Sequence, residues 1–297
     1  MTMLPLPFYI VDVFAVSKYT GNQLAIFPNA QNLTTDQMQS IAKEIHFSET
    51  TFILSDQSEN NGYPVRIFTP NYELPFAGHP TIGTAFIIQQ KIIQQPVSRV
   101  NLNLKVGQIP VDISYQEGAI DLLWMVQRPP TFDELFEPEE IAEVLNINVD
   151  DLDERFPIQS VSTGVGFIIV PLKTQQALKT CRINQQAYQE IIKNIGAKMI
   201  LVFCPETYEP ENDLCVRVFA DYFGVPEDPA TGSGNGCLAA YLVQYDYFSQ
   251  PSINLKVEQG YEVDRPSLLL LKARRDQAVI QVFVGGKVIM VAQGEFI

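Results

Sequence analysis

Basic residues are scarce: 20 lysines and arginines stand against 34 aspartates and glutamates, for a formal net charge of −14 and an isoelectric point near 4.6. Binding a polyanion needs a basic patch that releases counterions, so no nucleic-acid partner is expected. The same balance disfavours attraction to an anionic membrane surface. Histidine is scarcer still, with 2 in the chain, and the 4 cysteines, Cys181, Cys204, Cys215 and Cys237, form no CxxC pair. That set makes a poor zinc site and no disulfide framework, so a reduced, cytoplasmic chain without a metal is expected. No apolar run approaches the ~18 residues of a membrane-spanning helix; the best are Ile200–Cys204 and Leu268–Leu271. Met1–Val16 is apolar but has no positive charge before Lys18 and no small-residue cleavage site, so it is not expected to act as a secretory signal.

What is present is the material of a core. Hydrophobic residues at 46% with dispersed charges at 18% describe a globular chain that buries a large interior. The length of 297 residues fits two domains.

The chain repeats itself. Thr20-Gly21 with the apolar segment ending at Pro28 matches Thr163-Gly164 with the segment ending at Pro171. In the same order, Ile41–Ile45 matches Ile191–Ile195, Arg66-Ile67-Phe68 matches Arg217-Val218-Phe219, and Gly78-His79 matches Gly232-Ser233. Four matches with slowly growing offsets indicate two copies of one unit. In the first copy Thr34 and Gln37 form a capping box ahead of Met38, Ile41, Ala42 and Ile45, which predicts a helix over 35–46. Strands are predicted at Thr50–Leu54 and Val65–Phe68, and, with Pro80 at the first helical position, a buried helix at Thr81–Gln90. The second copy predicts a helix capped by Asn184 and ending before Gly196, strands at Met199–Phe203 and Leu214–Ala220, and a buried helix over Gly234–Gln244.

Alternating segments at Val100–Val106, Val111–Tyr115, Ala119–Met125, Ile253–Val257, Ser267–Ala273, Ala278–Val284 and Lys287–Gln293 predict further antiparallel strands. The fold class expected is α+β, with two pseudo-symmetric domains, each a curled, mostly antiparallel barrel-like sheet around a central helix. Arg128-Pro129-Pro130 and the acidic stretch Asp133–Glu140 mark the boundary, with Ile141, Ala142, Val144 and Leu145 at helical spacing beyond it.

Two loop-to-helix junctions carry the candidate chemistry. Pro75–Thr81 and Glu227–Gly236 each aim backbone amides and the positive end of a helix dipole at what lies in front, which suits a small carboxylate. Gly-rich turns also simply cap buried helices, but two at equivalent places in a duplication favour a site. The GxGxG of the second junction is separated from its strand by Asp221–Thr231, against a dinucleotide fingerprint. Where the copies differ, Glu49 stands opposite Met199 and His79 opposite Ser233. Glu49 is either a solvated strand end or a general base beside Phe47 and Phe52, where partial desolvation would raise its pKa. His79 is either a helix cap or a neutral donor and proton shuttle held neutral by the helix dipole. Asp228 is a turn former before Pro229 or a site residue, and Ser233 an N-cap or a site residue.

Asp12-Val13-Phe14 with Gly21-Asn22, Ser48–Phe52, Arg66–Pro70, Leu74–Pro80, Glu227–Ser233, Gln259-Gly260 and Arg265–Ser267, in this order over nearly the whole chain, closely resemble the PhzF-like isomerases of phenazine biosynthesis. The resemblance implies the diaminopimelate-epimerase fold, with 1–128 plus 286–297 as one half, 129–285 as the other, and the active site in the cleft between them. It implies a cofactor-independent isomerase that moves a proton between carbons of a small, carboxylate-bearing cyclic metabolite. Its catalytic residues fall on Glu49, His79, Asp228 and Ser233, and its substrate-binding positions on Asn22, Gly78, Thr231, Gly232 and Gly234. Members are commonly homodimers. Epimerases and racemases of the same fold carry two thiols where this chain has Ala77 and Thr231, which weighs against two-base stereoinversion. Cys237, several residues into its helix, is expected to be a packed core cysteine. Besides the one-base isomerase, an amino-acid epimerase and a non-catalytic metabolite-binding or scaffold protein are the alternatives.

Overall fold

Thr34 and Gln37 make both bonds of the capping box: the Gln37 amide donates to Thr34 Oγ1 at 3.2 Å and the Thr34 amide to Gln37 Oε1 at 2.8 Å. They start helix α1 (Thr35–Ile45), whose Met38, Ile41 and Ala42 pack with Phe27, Phe52 and Phe68. Phe27 stacks on Phe52 at 5.3 Å and Phe52 meets Phe68 edge-on at 5.5 Å, geometries that aromatic quadrupoles favour. The computed structural model describes residues 5–277 and 279–297. Met1–Leu4 of the apolar N-terminus, and Ala278 at the head of the predicted strand Ala278–Val284, lie outside the described residues.

The chain divides into two compact units, Met1–Val126 with Gly285–Ile297, and Gln127–Val284. The first unit runs β1 (Leu6–Val13), β2 (Asn22–Phe27), α1, β3 (Thr50–Ile53), β4 (Tyr63–Phe68), β5 (Glu73–Leu74), α2 (Gly78–Ile87), β6 (Arg99–Leu104), β7 (Gly107–Gln116) and β8 (Ala119–Val126). The second runs β9 (Thr131–Phe136), α3 (Pro138–Leu145), β10 (Ile158–Ser162), β11 (Gly166–Pro171), α4 (Gln175–Thr180), α5 (Gln185–Ile192), β12 (Met199–Cys204), β13 (Leu214–Ala220), β14 (Val225–Asp228), α6 (Gly232–Gln244), β15 (Ser252–Gln259), β16 (Ser267–Asp276) and β17 (Val279–Gly286). Strand β18 (Val288–Phe296) belongs to the first unit, where it pairs antiparallel with β1.

Sheet register bears out the duplication. Strand β2 is parallel to β3 with Ala25 facing Thr50, and β11 is parallel to β12 with Ile168 facing Ile200. Antiparallel β3–β4 corresponds to β12–β13, and parallel β4–β6 to β13–β15. Each unit is a mixed, mostly antiparallel sheet curled over one helix. Every residue of α2 is buried, and it packs on β1, β2, β3, β6, β7, β8 and β18. Helix α6, buried over most of its length, packs on β10, β11, β15 and β16. A helix buried on every side has no face to give to water, so the sheet must wrap it. Gly83 permits the closest approach, because a Cβ there would lie 2.7 Å from Leu24 Cδ2 and 2.9 Å from Val13 Cγ2.

Several boundaries differ from those predicted. Helix α2 starts at Gly78, which puts Pro80 in the first turn rather than at its first position; an amide there has no intrahelical partner to lose. A π-helical turn over Ile88–Ile93 then carries it onward. The acidic stretch Asp133–Glu140, beyond the division at Val126, forms most of β9, held by β10, and the first turn of α3, where Glu139 and Glu140 sit at the positive end of the dipole. Among the described residues no helix is long and apolar enough to cross a membrane.

Candidate functional site

In the first unit Glu49 is the residue immediately before β3, and the parallel pairing of β2 and β3 fixes its height in the sheet. Its side chain is 17% exposed, and its Oε2 lies 3.5 Å from Nε2 of His79, which is 5% exposed. His79 is the second residue of α2 and bonds to the Gln23 backbone. Burial drives its pKa from 6.5 down to about 3, against the opposing effect of the Gln23 bond. The ring is therefore neutral at pH 7, and the contact is a carboxylate facing a neutral imidazole rather than an ion pair. Asn22, 2% exposed, opens β2 next to Gln23 and faces Val13 across the sheet. Ala77 is the N-cap of α2 and no side chain caps the helix, so His79 is not its cap and Gly78 heads an uncapped N-terminus.

In the second unit Asp228 ends β14, a short strand antiparallel to β13 that lies within the segment expected to be loop. Thr231 Oγ1 donates to Asp228 Oδ2 at 2.5 Å, and the Thr231 amide donates to Gln259 Oε1 at 3.1 Å. Both donors of Thr231 are thus engaged within the protein. Thr231 is the N-cap of α6, again without a side-chain cap bond, so Ser233 is the second helical residue and not the cap. Gly232, Ser233 and Gly234 form the first turn behind it. Ser233 therefore takes the place in α6 that His79 takes in α2. Cys237 lies deeper in α6, fully buried, with its thiol donating to the Val165 carbonyl at 3.5 Å and burial pushing its pKa up to about 12. It is the packed core cysteine expected of it.

Two features of the junctions lie outside the sequence expectations. In each unit an arginine of the strand before the junction grips a glutamate in the next short strand with two parallel bonds. Arg66 Nε and Nη2 meet Glu73 at 2.8 and 2.7 Å, and Arg217 Nε and Nη2 meet Glu227 at 3.0 and 2.7 Å. Each guanidinium also lies over the phenylalanine two residues on, Phe68 at 5.0 Å and Phe219 at 4.8 Å. The matched tripeptides Arg66-Ile67-Phe68 and Arg217-Val218-Phe219 were the available signal, but the glutamates lie in strands too short to predict. The second feature is Gln259, which belongs to a recognised motif but carried no assigned role.

Residues 11–294 match the phenazine biosynthesis-like protein family, PhzC-PhzF. The chain is 33% identical to an uncharacterized isomerase of Pasteurella multocida, covering 99% of this chain and 94% of the relative. It is 32% identical to trans-2,3-dihydro-3-hydroxyanthranilate isomerase of Pseudomonas fluorescens, covering 98% and 99% of the two chains. In structure it is similar to the Bacillus anthracis phenazine biosynthesis protein of the PhzF family, with a TM-score of 0.90 at 30% identity, over 99% of this chain and 100% of the other. The chain belongs to the phenazine biosynthesis-like PhzC-PhzF family and is an isomerase.

Proposed function

We propose that the chain is a one-base isomerase that moves a proton between carbons of a small, cyclic, carboxylate-bearing metabolite without a cofactor. Glu49 removes a proton from one carbon, and the released electron pair shifts a neighbouring double bond. The resulting carboxylic acid then returns a proton to another carbon on the same face, so the net reaction is isomerisation. His79, neutral and buried, gives its one N–H to the Gln23 backbone, so the Nε2 facing Glu49 is an acceptor that can take and shuttle the proton. Each helix head presents amides that suit a carboxylate, in the first unit at Gly78 with Asn22 on the neighbouring strand and in the second unit at Gly232, Ser233 and Gly234. Asp228 and Thr231, bonded to each other, set the shape of the turn ahead of α6. The positive potential this needs comes from backbone amides, which the net charge of −14 does not record.

The observation that carries this reading is the 3.5 Å approach of Glu49 to a neutral His79. Catalytic contacts in a substrate-free site are often long and tighten around the substrate. Ala77 and Thr231 at the two junctions support one-base chemistry over stereoinversion. The test is incubation with trans-2,3-dihydro-3-hydroxyanthranilate in heavy water, with Glu49→Gln alongside. Deuterium should enter at carbon with the native chain and not with the variant. Incorporation that survives Glu49→Gln would overturn the role of Glu49, and incorporation into small amino acids instead would favour an epimerase.

A further inference from the structure

Gln259 is the last residue of β15 and is fully buried, yet none of its polar groups is idle. Its Oε1 accepts from the Thr231 amide at 3.1 Å and from Asn235 Nδ2 at 2.9 Å. Its Nε2 donates to the Asp228 carbonyl at 2.7 Å and to Thr231 Oγ1 at 3.0 Å. Asn235, also fully buried, closes the network by donating to the Thr231 carbonyl at 3.1 Å. One side chain thus holds the backbone at both ends of Asp228–Thr231, and the hydroxyl that it supports donates to Asp228 Oδ2.

The next residue fixes the same segment sterically. Gly260 has φ +82°, and a Cβ there would lie 2.5 Å from the Pro229 carbonyl oxygen and 2.4 Å from that of Arg265. Only glycine lets β15 end against the Asp228–Thr231 turn.

The duplication separates what the fold requires from what the site requires. Tyr63 of β4 pairs with Leu102 of β6, and the equivalent Leu214 of β13 pairs with Val257 of β15. Two residues further on, at the ends of the two strands, Leu104 stands in the first unit where Gln259 stands in the second. Leu104 is 8% exposed, so the position is filled by an apolar side chain in one copy of the same sheet. The fold does not demand an amide there.

We propose that Gln259 is a positioning residue of the isomerase site: it fixes Asp228 and the start of α6 in the geometry that receives substrate. This rests on the proposed role of Asp228 and the α6 amides, but its structural half is independent of substrate. The test compares the native chain with Gln259→Leu, the twin's residue, and with Gln259→Glu, which keeps the length but loses both donated bonds. Hydrogen exchange over 226–236 should speed up at least tenfold in both variants, with α2 and its flanks unchanged. With trans-2,3-dihydro-3-hydroxyanthranilate as probe, KM should rise and kcat fall by about 10- to 100-fold. A smaller folded fraction alone would leave KM unchanged. Native-like exchange over 226–236 in the variant that folds overturns the proposal. A native chain that does not turn over the probe sinks the functional reading instead, and the exchange comparison still decides the role of Gln259.

Discussion

At the head of α2 the chain places Ala77, Gly78 and His79; at the head of α6 it places Thr231, Gly232 and Ser233. The backbone frame is the same at both: a glycine at the first helical position, no side-chain cap, and an arginine–glutamate clamp on the strands just before. The contents differ. The first junction holds a buried imidazole facing a carboxylate, whereas the second holds a hydrogen-bonded turn around Gln259. The clamps differ as well. The Arg66 side chain is 22% exposed, and its Glu73 also pairs with Lys105 at 2.6 Å. The Arg217 side chain is 4% exposed, and its Nη1 donates to the carbonyls of Leu178, Lys179 and Cys181. A duplicated frame kept in both copies belongs to the fold, and what only one copy has belongs to the chemistry.

The comparison breaks most sharply at Glu49. Sheet register puts Met199 at the equivalent place, 8% exposed in the second unit. Glu49→Gln should lower the rate of deuterium incorporation by about 10²- to 10⁴-fold, the usual contribution of a general base. Met199→Leu, conserving volume, should leave that rate unchanged within a factor of two or so and cost under about 1.5 kcal/mol of stability.

The clamps should be unequal in urea unfolding. Arg217→Ala removes a guanidinium that is 4% exposed and leaves Glu227, 10% exposed, without its bidentate partner, and should destabilise by about 3–5 kcal/mol. Arg66→Ala, at a partly exposed pair whose glutamate keeps Lys105, should cost about 1 kcal/mol. Equal losses would mean that burial does not separate the two copies.

His79 should show itself in acid. Its folded pKa, about 3, lies below the ordinary 6.5, so the unfolded chain takes up the proton first. Stability is therefore lost as pH falls through that window, and His79→Gln should flatten the fall when thermal midpoints are measured across it. Ser233→Gln in the second unit should leave the slope as it is.

The smallest effects should be matched. Thr34 caps α1 and Asn184 caps α5 at equivalent places, each accepting from helix amides through its side chain. Thr34→Ala and Asn184→Ala should each cost about 1 kcal/mol. A large inequality would show that the two helices do not play the same part in their units.

Much of this was legible in advance because it is local. The capping box of α1, the Asn184 cap and the bounds of β13 follow from spacing within a few residues. Glu49 and His79 were singled out by asking where the copies differ, and the register of β2–β3 and β11–β12 then placed Glu49 and Met199 alike. The acidic β9 was not legible, since Asp133 and Glu134 disfavour a strand on their own and only β10 supplies the partner. Strands β5 and β14 were missed for a related reason: two and four residues carry no periodicity, and what holds them are Arg66 and Arg217.

By itself the sequence determined the duplication, the two buried helices, the family resemblance and the list of polar residues that one copy has and the other lacks. Those are properties of spacing and composition along the chain. The tertiary structure alone decided that His79 is buried against Glu49, that Thr231 already spends both donors inside the protein, and that Gln259 joins Asp228 to α6. Desolvation and hydrogen-bond partnership depend on what other segments bring alongside, and β15 reaches the Asp228–Thr231 turn only once the sheet has curled around α6.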